Sequence, residues 1–79
     1  MNHYLATFHT HLASLKTHRA LTAAGIEGRM APVPRKISSS CGTCVLYSAD
    51  SPCFDMMDAD TEAVYLLKDK DAELLREFE

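Results

Sequence analysis

The stretch Tyr4–Gly25, YLATFHTHLASLKTHRALTAAG, decides the architecture. Its first five residues, YLATF, are apolar and aromatic and read as a short buried strand. His9-Thr10-His11 breaks that run, and Thr10 has the hydroxyl to cap a helix that follows. His11–Ala24 contains Leu, Ala, Lys and Arg with neither Gly nor Pro, which predicts a helix. Ala13, Ser14, Thr17, Ala20, Leu21 and Ala24 share one face at helical spacing. Side chains that small let a helix lie close to a sheet. Leu12 and Leu15 fall off the face and are left for a sheet edge or a partner. Gly25 ends the helix as a C′ glycine does.

After the glycine, Ile26–Val33 (IEGRMAPV) resumes an extended pattern. It closes at Pro32 and Pro34, because proline is tolerated at strand ends and edges but not mid-sheet. Residues 34–42, PRKISSSCG, form a loop by composition. Thr43–Tyr47 (TCVLY) is β-branched and apolar, a further strand. Ser51 and Pro52 suit the N-cap and first position of a short helix, Pro52–Asp58. Thr61–Leu67 (TEAVYLL) reads as the last strand. Asp71–Phe78 (DAELLREF) is expected as a tail helix with Leu74, Leu75 and Phe78 on its apolar side. The order β-α-β-β-α-β plus a tail helix predicts an α+β fold, a ferredoxin-like sandwich with an antiparallel sheet and its helices on one face. The second helix is too short to cover its share of that face, so the tail helix or a second subunit is expected to fill the gap.

A chain of 79 residues makes one domain, 1–79, and buries a modest core that a partner or metal can supplement. Its net charge of −3 and scattered basic residues, of which only Arg35 and Lys36 are adjacent, argue against a nucleic-acid binder. The start, Met1-Asn2-His3-Tyr4, has no basic segment leading into an apolar run. No apolar stretch approaches the roughly 20 residues that cross a bilayer. A cytoplasmic protein without a membrane partner is therefore expected. The three cysteines, Cys41, Cys44 and Cys53, are an odd set for a disulfide scaffold. In a reducing compartment, closely spaced cysteines serve catalysis, redox exchange or metal binding.

Cys41-Gly42-Thr43-Cys44 is a C-x-x-C motif inside a polar loop. Arg35 and Lys36 bring positive charge, and Ser38, Ser39, Ser40 and Gly42 bring hydroxyls and backbone N–H groups, surroundings that favour a thiolate over a thiol. The thiolate is the form that attacks sulfur or selenium electrophiles. Gly42 lets another molecule approach Cys41 closely. Each residue also has a plainer reading. Cys44 alternates with Thr43 and Val45 on a strand and packs equally well as a small hydrophobe. Cys53 sits at a helix start, Arg35 suits a solvated charge, and Ser38–Ser40 suit a polar turn. His3, His9, His11 and His18 read as surface histidines, and Met56-Met57 as packing.

Ala24-Gly25-Ile26, Arg29 and the string Pro32-Val33-Pro34-Arg35-Lys36-Ile37-Ser38-Ser39-Ser40-Cys41-Gly42 resemble a small bacterial selenium/sulfur (Se/S) carrier-like family. With Tyr4–Phe8, the helix ending at Gly25 and the strand Glu62–Leu67, the resemblance spans residues 3–68. It implies a cysteine that holds sulfur or selenium as a persulfide or selenopersulfide. That atom would pass between a cysteine desulfurase and an acceptor such as a selenophosphate-forming enzyme. Cys41 would be the carrier, Arg35 and the serines its surroundings, and Gly42 its access point. Such a protein is a transfer partner, not an independent enzyme, and needs no cofactor. Cys44 would resolve the persulfide through a Cys41–Cys44 disulfide. The short second helix and the tail helix depart from the family pattern. Three alternatives stand beside this reading: a dithiol redox pair, a zinc site built from the three cysteines and a histidine, and a regulatory module whose sheet forms a homodimer and binds a ligand.

Overall fold

In the computed structural model, which describes residues 1–78, β1 (Asn2–Phe8) and α1 (His11–Ala23) form where the local pattern places them. Thr10 is the N-cap of α1, its Oγ1 accepting the Ala13 N–H at 3.1 Å. Gly25 has a φ of 79°, and the chain folds back there so that the Ile26 N–H reaches the Leu21 carbonyl at 2.9 Å. Then come β2 (Glu27–Pro32), β3 (Thr43–Ala49), β4 (Thr61–Lys68) and β5 (Asp71–Glu77). They form one sheet in the order β2-β3-β1-β4-β5, with every neighbouring pair antiparallel.

Side chains alternate across this sheet and build two apolar layers. On one face, Ala13, Ser14, Thr17 and Leu21 of α1 are buried, so the small helix face does meet the sheet. Ala20 and Ala24 turn outward. Tyr4, Ala6, Phe8, Val45, Tyr47 and Val64 supply the sheet side of that core. The other face carries Leu5 and Cys44, with Leu46, Tyr65, Leu67 and Ala72 half-buried around them. No helix covers it. Ile37, from the loop between β2 and β3, packs over Leu5 and Cys44 instead.

Two expected helices are not formed. Pro52–Asp58 contains only a 3₁₀ turn, Phe54–Met56, preceded by Cys53 with a left-handed φ of 57° and no side-chain cap. Tertiary contacts hold the segment at both ends. The Tyr47 hydroxyl donates to the Pro52 carbonyl, and the Asp58 N–H donates to Thr17 Oγ1 at 3.0 Å. The tail is a strand, because pairing along β4 satisfies a backbone edge that an eight-residue helix would leave bare. Lys68 faces Asp71 across a tight turn, and a bulge at Val64/Tyr65 shifts the register. Leu75 and Phe78 then join the helix-side core, while Ala72 joins the opposite layer.

The gap expected beside α1 is filled from within the chain. Phe54, Met56, Met57, Leu75 and Phe78 pack there, with the Arg76 guanidinium over the rings of Phe54 and Phe78 at 5.4 and 4.7 Å. Among the described residues the result is an α+β domain with a five-stranded antiparallel sheet and one α-helix, in place of the two-helix sandwich.

Gly28 is where β2 runs tightest against β3. A Cβ there would lie 2.9 Å from the Leu46 carbonyl oxygen and 3.2 Å from Tyr47 Cβ. Gly28→Ala is expected to destabilise the protein by about 1–3 kcal/mol, as overpacking does. A urea melt showing no loss would mean that β2 yields freely.

Candidate functional site

The loop between β2 and β3 closes on the Val33 N–H, which donates to the Gly42 carbonyl at 3.0 Å. Inside it, Pro34 to Ile37 is a turn closed by the Ile37 N–H on the Pro34 carbonyl at 3.0 Å. Ile37 is 9% exposed while its neighbours Lys36 and Ser38 are exposed, so it is the buried apolar anchor of the loop. The Lys36 ammonium reaches across to the Lys70 carbonyl at 2.9 Å. Arg35 is exposed and has no hydrogen bond or ion pair among the described residues.

Ser39 and Ser40 are clasped by Glu62 of β4. Its Oε1 accepts the Ser40 N–H at 2.9 Å and the Ser39 hydroxyl at 3.1 Å, and its Oε2 accepts the Ser40 hydroxyl at 3.0 Å. His9 Nδ1 lies 3.6 Å from the same carboxylate. Burial opposes ionisation of Glu62. The bonds from Ser40 and Ser39 and the nearby His9 outweigh it and hold the carboxyl below its ordinary value. A depressed carboxyl contributes stability above its unfolded pKa and loses it as pH falls through the folded one. The clasp is thus expected to persist at neutral pH and to fail only on acidification below the ordinary glutamic-acid range. Glu62→Gln should loosen it at neutral pH, by about 1 kcal/mol, and remove its dependence on pH. Hydrogen exchange at the Ser40 amide measures both, and an amide equally protected in the variant would remove the clasp's role.

Cys41 follows directly. It is half-buried against the helix-side core, and its thiol donates to the Thr43 carbonyl at 3.4 Å. The N–H groups of Cys41 and Gly42 have no partner among the described residues. Gly42 has a φ of 74°, and nothing lies within 4 Å of where its Cβ would stand. The backbone beside the sulfur is therefore open to an approaching molecule.

Cys44 points to the other layer. It is fully buried with Leu5 and Ile37, and its thiol faces the Pro32 carbonyl at 3.7 Å. Burial pushes this thiol above its ordinary value, against the pull of Arg29, and charge on Cys41 would add to the rise. Cys53 is half-buried near the 3₁₀ turn, its thiol donating to the Ser51 carbonyl at 3.4 Å. All three cysteines are free, and among the described residues no group of His, Cys, Asp and Glu is gathered to hold a metal.

Glu62 and His9 escaped the sequence reading. Glu62 is a strand residue far along the chain from the serines it binds, and no local motif announces the contact.

Residues 3–53 match the profile of a family described as "Putative Se/S carrier protein-like". The uncharacterized protein YtiA of Escherichia coli (strain K12) is 36% identical over 45 residues, 57% of this chain and 53% of the relative. The aligned part spans about half the length of that relative. No solved structure matches. Among the described residues, no helix is long and apolar enough to cross a membrane.

Proposed function

The chain belongs to the Se/S carrier-like family, and from that premise we propose that Cys41 carries sulfur or selenium between a donor enzyme and an acceptor. The observation that carries the reading is the position of the sulfur. Among the three cysteines, Cys41 alone sits beside an open glycine, and its N–H and that of Gly42 have no partner among the described residues. Those N–H groups are available as donors to a sulfur held there, and Arg35 lies in the same loop. The serines act indirectly. With their hydroxyls taken by Glu62, Ser39 and Ser40 hold the loop rather than solvate the thiolate.

In the transfer, the Cys41 thiolate attacks the outer sulfur of a persulfide on the donor, such as a cysteine desulfurase. A new S–S bond forms, the donor's S–S bond breaks, and the electron pair leaves with the donor thiolate. The proton released from Cys41 goes to solvent. The acceptor collects the atom by the same exchange. Free thiols of this kind belong in a reducing cytoplasm. The β4-β1-β3-β2 order supports reading the first four strands as a ferredoxin-like core whose second helix is reduced to a turn.

Incubation with a cysteine desulfurase and cysteine, followed by intact-mass measurement, tests the proposal. One added sulfur mapped to Cys41 is expected. An unchanged mass, or sulfur mapped only to Cys53, removes it.

A further inference from the structure

We propose that Ile37 is a shutter over Cys44, so that seating or lifting the β2–β3 loop decides whether this second thiol can reach the first. The loop presents Cys41 on its way into β3 and, with the same few residues, covers Cys44. Cys44 has no exposed surface and shares a cluster with Ile37 and Leu5, whereas Cys41 packs with the helix-side core. Two thiols separated by only two residues are thereby held in different layers.

The cover is built to lift. Among the described residues, no backbone hydrogen bond joins residues 34–41 to the sheet strands, and the Ile37 N–H is used within its own turn. The seat consists of the Ile37 side chain, the Lys36–Lys70 bond, the Glu62 clasp and the Ser39 hydroxyl on the Phe8 carbonyl. These are local contacts whose loss leaves the β ladders intact. Directly opposite Cys44 on β1 is Thr7, buried, with a hydroxyl that has no hydrogen-bond partner. Thr7 and Ser38 line one cleft of about 340 Å³. Water entering beneath a lifted loop would satisfy that hydroxyl and offset part of the cost of opening.

The chemical consequence rests on the carrier reading of Cys41; the masking of Cys44 does not. With the loop seated, a chalcogen on Cys41 is safe from displacement. With it lifted, Cys44 gives its proton to water and its thiolate attacks Cys41 Sγ. The Cys41–Cys44 bond forms, the bond from Cys41 Sγ to the outer atom breaks, and that atom departs as hydrosulfide or hydroselenide. A dithiol reductant then supplies two electrons and restores both thiols.

Native-state alkylation with iodoacetamide, read cysteine by cysteine by mass spectrometry, tests the shutter without any sulfur loading. Cys44 is expected to react far more slowly than Cys41. Ile37→Ala should speed Cys44 on the order of ten- to a hundredfold while leaving Cys41 near its wild-type rate. Lys36→Met, which spares the core, should speed Cys44 less, in the same direction. Equal rates for Cys44 and Cys41 in the wild type would overturn the shutter. So would variants that leave Cys44 unchanged, or acceleration that merely tracks exchange of the β1 amides. In sulfur-loaded protein, Ile37→Ala should release sulfide and form the Cys41–Cys44 disulfide faster than wild type. Equal release would overturn the gating role, whereas failure to load at all would overturn the Cys41 reading and leave the alkylation result standing.

Discussion

Replacing Cys41 by serine is expected to abolish chalcogen loading while changing stability by less than about 1 kcal/mol. The two halves of that expectation have different causes. Loading needs a polarisable thiolate that attacks sulfur, and a serine hydroxyl stays protonated near neutral pH. Stability is spared because Cys41 is half-buried in a loop, and a serine keeps a donor for the Thr43 carbonyl that the thiol uses now. Cys44→Ser makes the useful contrast. It places a hydroxyl in a buried, mainly apolar layer where the thiol now meets the Pro32 carbonyl at 3.7 Å, and is expected to cost about 1–3 kcal/mol. Its initial loading on Cys41 should remain. Intact mass after desulfurase treatment and a urea melt separate these outcomes. A Cys41→Ser protein that still gains one sulfur would show that the carrier thiol lies elsewhere.

Phe8→Ala carries the largest expected loss of stability, about 3–5 kcal/mol. Phe8 heads the set of largest fully buried side chains and has no exposed surface. It stands where β1 ends, at the register shift opposite Thr61, and its carbonyl also accepts the Ser39 hydroxyl at 3.4 Å. Truncation therefore opens a cavity between α1 and the sheet and loosens the floor under the loop. Small domains have stabilities near the low end of about 5–15 kcal/mol, so most of this one's margin would go. Thermal or urea denaturation measures it. A loss below about 1 kcal/mol would mean that the core does not close around this ring.

How far the sequence could be read depended on how local the cause of each feature was. The Thr10 cap, the α1 interior and Gly25 act within a turn of themselves, so β1, α1 and β2 were legible together with β3 and β4. The proline- and serine-rich loop string was specific enough to carry the family resemblance, and the family profile covers it. The small face of α1 was read correctly for Ala13, Ser14, Thr17 and Leu21, because helical spacing determines which side chains stand together.

The tail and the middle turn were misread for one reason. DAELLREF has the composition of a helix, and its turn, Asp69-Lys70, lacks the Asn-Gly or Asp-Gly signal of a hairpin. Intrinsic preference lost to the free edge of β4, which offered a full ladder of backbone partners. The Ser51-Pro52 helix start lost likewise to a tyrosine and a threonine from elsewhere in the fold. Local pattern thus determined the strand-helix-strand start and the thiol loop of this protein. The fifth strand, the Glu62 clasp on the serines and the cover of Ile37 over Cys44 were decided only when distant segments met, since each is a contact between residues whose separation along the chain leaves no periodic trace.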